Sequence, residues 1–139
     1  MKKVLLVLVV FAAIVAVGAL AIGQGKAEMY KGYLADVACA TSASGKAADG
    51  ADMKTQPEKH TVGCMLAAPC AASGYGLEIN EGTASAKKYV FYKFDKKGND
   101  LAAKLLKNTK KKDNYSVEVK GMKEKGMIKV ISIKEITMK

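Results

Sequence analysis

The sequence predicts a mostly-β fold, a small OB-fold-like barrel of five strands. One helix is expected between strands 3 and 4, and a short Cys/His-bearing helix between strands 1 and 2. Three observations predict it. Short runs rich in Tyr, Val and Ile are separated by Gly-, Asn- and Asp-bearing turns. The last two runs flank a short charged turn and read as a hairpin. A leucine-bearing helical segment falls between the third run and that hairpin, which is the connectivity of an OB-like barrel.

The elements follow in order. Residues 29–37 (MYKGYLADV) form the first strand. Residues 40–58 are Ala, Ser, Gly, Asp and Lys with almost nothing to bury, and predict a long flexible loop. Thr55-Gln56-Pro57-Glu58 fits a capping box with Pro in the first turn, so a short helix is expected to about Ala68, where Pro69 ends it. Residues 75–80 (YGLEIN) alternate as a strand does, and residues 88–95 (KYVFYKFD) are apolar on both faces, as in a central strand. Residues 95–100 read as a turn ending in a helix N-cap at Asp100; they lack the alternating acidic ligands of a calcium loop. The helix itself spans 100–108, with Leu101, Ala102 and Leu105 on one face. In residues 115–121, Tyr115, Val117 and Val119 face one way and Ser116, Glu118 and Lys120 the other. Residues 127–136 are rich in Ile, with a phase change at Val130-Ile131 that predicts a bulge.

Ahead of this domain, Lys2 and Lys3 precede an apolar run from Val4 to Ile22, and no charge appears before Lys26. Such a run is apolar on every helical face and suits a bilayer, while the leading lysines hold its start in the cytoplasm. Small residues mark candidate cleavage sites at Ala19-Leu20-Ala21 and Gly25-Lys26-Ala27. The expectation is a signal peptide over 1–27 and one exported domain over 28–139, periplasmic or extracellular. The run is also long enough to be an uncleaved membrane anchor.

Charge is unevenly spread. Residues 28–86 carry four lysines against seven carboxylates, and residues 87–139 carry sixteen against six. Every one of the 23 basic residues is lysine, so the arginine fork that grips phosphate and reads guanine edges is absent. Nucleic acid is therefore a poor match. A partner for the basic half is better sought among anionic lipids and cell-surface polymers.

All three cysteines and the one histidine lie in one stretch: Cys39, His60, Cys64 and Cys70. If His60 and Cys64 share a helix they share a face, and Cys39 and Cys70 would complete a Cys₃His set of the kind zinc prefers. Copper is the other thiophilic candidate. Asp36 is a spare carboxylate beside Cys39. The competing expectation is a disulfide, because exported proteins oxidise their thiols; Cys39 would pair with Cys64 or Cys70. No orienting third residue or oxyanion site accompanies Cys64 and His60, so no catalytic residue is assigned.

The runs Gly32-Tyr-Leu-Ala-Asp36-Val-Ala-Cys39, His60-Thr-Val-Gly-Cys64 and Cys70-Ala-Ala-Ser-Gly-Tyr-Gly76 resemble a family of small exported bacterial proteins. Phe94-Asp95, Val117-Glu-Val-Lys-Gly121 and Ile128-Lys-Val-Ile-Ser-Ile133 extend the resemblance over most of residues 30–136. It implies export, an OB-like β domain, and a unit made of Asp36, Cys39, His60, Cys64 and Cys70; it implies no mechanism. The resulting expectation is an exported, non-enzymatic domain whose Cys/His segment is a structural cross-link or a binding site. The alternatives are a zinc or copper module, a thiol redox protein, and a surface-interaction protein using the lysine-rich half.

Overall fold

The computed structural model describes residues 25–139, so the apolar run and the first candidate cleavage site lie outside the described residues. Five strands carry the fold: β1 (Glu28–Asp36), β2 (Tyr75–Asn80), β3 (Tyr89–Phe94), β4 (Ser116–Glu124) and β5 (Met127–Ile136). Between β1 and β2 lie three short helices, α1 (Val37–Ala40), α2 (Val62–Leu66) and α3 (Ala68–Ser73), and a 3₁₀ turn at Pro57–Lys59. Helix α4 (Lys96–Asn108) joins β3 to β4. Among the described residues, no helix is long and apolar enough to cross a membrane.

The sheet closes in a ring in the order β1-β2-β3-β5-β4, as an OB-like fold requires. Four pairings are antiparallel, and the short β3–β5 pairing (Lys93↔Met127, Phe94↔Ile128) is parallel. Inward positions build the main core: Leu34, Leu77, Phe94, Tyr115, Val117, Val119, Ile128 and Val130. Helix α4 buries Ala102 and Leu106 in it. Gly98 lets the start of α4 lie on the sheet, since a Cβ there would stand 2.5 Å from Val130 Cγ2.

The β4–β5 hairpin turns on Lys125-Gly126, both at positive φ (46° and 78°), the two-residue turn that matches strand twist. Lys120 pairs with Ser132 and Gly121 with Val130, so Ile131 is the extra residue of a bulge where the phase change predicts one. Several lysines of the basic half pair with carboxylates: Lys134 with Glu118, which also takes Lys31 of β1, Lys129 with Glu124, Lys111 with Glu135, and Lys123 with Glu81.

Four local expectations are corrected. The segment 40–58 does have something to bury: Ala47, Ala51 and Met53 are buried, and an isolated antiparallel β-bridge between the backbones of Lys46 and Asp52 closes a small turn. Its small side chains let the backbone lie close to the outer face of the sheet, which composition alone does not reveal. The helix expected from Thr55 to Ala68 is interrupted, because His60 is extended (φ −67°, ψ 127°) and does not share a helical face with Cys64. Pro69 opens α3 rather than ending a helix, in the first-turn position where its missing N–H costs nothing. Helix α4 starts one turn early, capped by Asp95, whose carboxylate accepts from Gly98 N at 3.0 Å.

Candidate metal centre

The outer face of β1 and β2 carries a second, smaller core of Ala35, Cys39, Ala47, Ala51, Met53 and Cys70, with Cys64 and Phe91 packed against it. It is rich in sulfur. Each cysteine reaches it from a different short helix. Asp36 ends β1 and caps α1, its Oδ1 accepting from Cys39 N at 2.9 Å, and this fixes Cys39 at the end of the strand. Thr61 caps α2, its hydroxyl accepting from Cys64 N at 3.1 Å. Cys70 follows Pro69 in the first turn of α3.

Cys39 is the pivot. Its Sγ stands 3.9 Å from Cys64 Sγ and 3.8 Å from Cys70 Sγ. All three cysteines are free, and no pair stands at bonding distance. Two groups of ligand atoms share Cys39: those of Cys39, His60 and Cys64 lie within 4.8 Å of one another, as do those of Asp36, Cys39 and Cys70. The five residues singled out in the sequence thus come together. Cys64 is only partly buried and gives the cluster an opening to solvent.

Asp49 joins them unannounced. His60 Nε2 lies 2.9 Å from Asp36 Oδ2, and Nδ1 lies 2.9 Å from Asp49 Oδ2. The same Asp49 oxygen accepts from Thr61 N (2.7 Å) and Thr61 Oγ1 (2.8 Å). A carboxylate oxygen on each ring nitrogen favours the imidazolium, the form in which both nitrogens donate. Burial alone would lower the His60 pKa, but the two carboxylates outweigh it and raise it. Burial pulls Asp36 upward, and the bonds from His60 and Cys39 N win and hold it low. Asp49 is likewise held low despite burial, through its bonds from Thr61, Ala51 and His60. The His60 side chain is fully buried and Asp49 is 16% exposed, so this ion triad is nearly dry.

Burial pushes the Cys39 thiol far up, with Asp36 adding to it, and burial and Asp36 also raise Cys70. This is the opposite of the lowered pKa that makes a thiol a nucleophile. A cation among the sulfurs would invert the effect, because a coordinating thiol gives up its proton. On the same outer face Glu78 is buried between Tyr33 of β1 and Phe91 of β3, and burial lifts its carboxyl to about 7, only partly offset by His60.

Asp49 and Met53 escape sequence reasoning because both sit in the segment that composition marks as a loop. The one available signal is local: Asp49-Gly50 is turn chemistry, and Gly50 does adopt φ 89° there. No protein-family model, no curated protein and no solved structure matches the chain.

Proposed function

We propose that the chain is an exported, non-enzymatic domain that binds a thiophilic metal ion at Cys39 together with Cys64 or Cys70. The observation that carries this reading is the placement of Cys39 Sγ at 3.9 and 3.8 Å from the other two sulfurs. Two thiolates at the zinc–sulfur distance of about 2.3 Å from a tetrahedral ion stand ~3.8 Å apart. Thiolate donors select zinc or copper(I) among the common ions. Helix caps at Asp36 and Thr61 fix the backbones that carry two of the sulfurs, so the donors are held before any ion arrives. Export rests on the lysine-tipped apolar N-terminus.

A second reading uses the same residues. Cys39 is equally placed to form a disulfide with Cys64 or Cys70, and an oxidising compartment favours that bond. Intact mass, thiol counting and metal content on anaerobically purified protein from its own compartment separate the two. One equivalent of metal with three thiols released on denaturation supports metal binding. A mass lower by two hydrogens, one alkylatable thiol and no metal supports the cross-link instead. Three thiols in metal-free protein that takes up neither zinc nor copper(I) would refute the metal reading.

A further inference from the structure

Resting on the metal reading above, we infer that the ion is zinc, held by Cys39, Cys64 and Nδ1 of His60, with Asp36 positioning the imidazole and a fourth position open at Cys64. Three observations point there.

The first is which ligand atoms stand together. Those of Cys39, His60 and Cys64 lie within 4.8 Å of one another, and Cys70 is outside that group. Sulfur and nitrogen donors on one tetrahedral zinc stand ~3.6 Å apart, so the ring has at most ~1.2 Å to close. Thiolate and imidazole together are zinc's usual donors. Against two thiolates and the carboxylates of Asp36 and Asp49, a dication leaves two charges uncompensated in a nearly dry site, and a monovalent ion leaves three.

The second is access. The competing group, Asp36, Cys39 and Cys70, is buried at all three residues, whereas Cys64 is only partly buried. An ion therefore enters beside Cys64, and the same opening admits a water to the fourth position, as in zinc sites with three protein ligands.

The third is what each carboxylate loses when His60 gives up a nitrogen. Asp49 without His60 Nδ1 still accepts from Thr61 N, Thr61 Oγ1 and Ala51 N. Asp36 without His60 Nε2 keeps only Cys39 N, on Oδ1, and its fully buried Oδ2 loses the partner it has at 2.9 Å. Nδ1 is therefore the nitrogen to release, and Nε2 stays protonated on Asp36. A metal-bound imidazole held by a carboxylate on its other nitrogen is a common arrangement. Two zinc–sulfur bonds and one zinc–nitrogen bond form, and three protons leave to solvent, one from each thiol and one from Nδ1.

The test starts with X-ray absorption at the zinc edge on the reduced full chain, loaded anaerobically with one equivalent of Zn(II). Two sulfur neighbours and two nitrogen or oxygen neighbours, one of them imidazole, are expected. Zinc affinity is then measured by competition with a chromophoric chelator. Cys64→Ser should weaken it and Cys70→Ser should not. Asp36→Asn keeps the α1 cap and should weaken zinc ~10- to 100-fold with the same neighbours around the ion, while Asp49→Asn should not weaken it. If Asp36→Asn fails to fold, the neighbour count and the two cysteine variants decide. Three sulfur neighbours, no imidazole, equal losses in Cys70→Ser and Cys64→Ser, or folded Asp49→Asn losing as much as folded Asp36→Asn would overturn the inference and leave the metal reading standing. So would uptake of copper(I) without uptake of zinc. Binding of neither ion would sink both.

Discussion

Replacing Glu78 by Gln should make the domain more stable at alkaline pH and leave it unchanged in acid. Glu78 lies on the outer face of β2, 3% exposed, and its carboxyl titrates near 7 against an ordinary value of 4.5 because burial disfavours the charge. A folded-state pKa above the unfolded one means that the folded chain binds more protons between those values, so stability falls as pH rises through that window. At 1.36 kcal/mol per pH unit the full penalty is ~3 kcal/mol above pH 7, and it vanishes below pH 4.5. Gln keeps the shape and removes the charge. Urea unfolding of both proteins at pH 4.5, 6 and 8.5 measures the difference. The two curves should coincide at the lowest pH and separate by ~3 kcal/mol at the highest. A constant offset across the range would refute the argument, because it would mean that the folded domain does not shift this carboxyl.

The His60 triad gives its own pH dependence once Glu78 is silenced. Asp36 and Asp49 have lowered pKa values, so their contribution is present above their unfolded value of 3.8 and lost as pH falls through the folded ones. His60 has a raised pKa, so its contribution is complete below 6.5 and lost as pH rises through its folded value. Glu78→Gln protein should therefore be most stable between about pH 4 and 6.5, and a flat profile in urea titrations would contradict the triad. Asp49→Asn leaves His60 with one carboxylate and should cost about 3 kcal/mol at pH 6, read by the same unfolding assay. Cys39→Ser removes the pivot sulfur: if the native link is a disulfide the loss is about 2–5 kcal/mol. In either form of the link, hydrogen exchange should quicken at the Ala47, Gly50 and Met53 amides, which bond only within the loop, and stay unchanged in the β4–β5 hairpin. Lys125 sits at φ 46°, so Lys125→Asn, which creates the favoured Asn-Gly turn, should raise stability by about 1 kcal/mol in thermal unfolding.

The ring of strands was legible because its signals are local. Alternation in 115–121, the phase change at Val130-Ile131 and the run 75–80 each report one strand's own surroundings. The sequence does not fix the start of α4, because Asp95 and Asp100 are both sound N-caps, and Asp95 is the one that also accepts from Val130 N at 3.1 Å across the sheet. The site was half legible. Cys39, His60, Cys64 and Cys70 are conspicuous as residue types, and the structure does gather them. The four-residue spacing predicts His60 as a helical partner of Cys64, whereas its extended backbone turns the ring toward two carboxylates. Asp49 and Met53 acquire meaning only from a fold-back that no periodicity announces.

That fold-back also explains why the cysteines sit where they do. Between Ala40 and Pro57 the chain buries two alanines and one methionine on the sheet, far less apolar surface than ordering so many residues requires. Asp49 supplies part of the difference by gathering His60 Nδ1, Thr61 N and Thr61 Oγ1 on one oxygen, which pins the middle of the loop to its far end. His60 then passes the tie to Asp36 at the end of β1. What this chain of bonds does not hold is α2 against α1, since the contact there is between Cys64 and Cys39 themselves. A bond through those sulfurs, by metal or by disulfide, is the element that would make the loop and the ring one cooperative unit. This is why the same three residues serve the binding reading and the structural one, and why the exchange behaviour of the loop is the property most exposed to the state of Cys39.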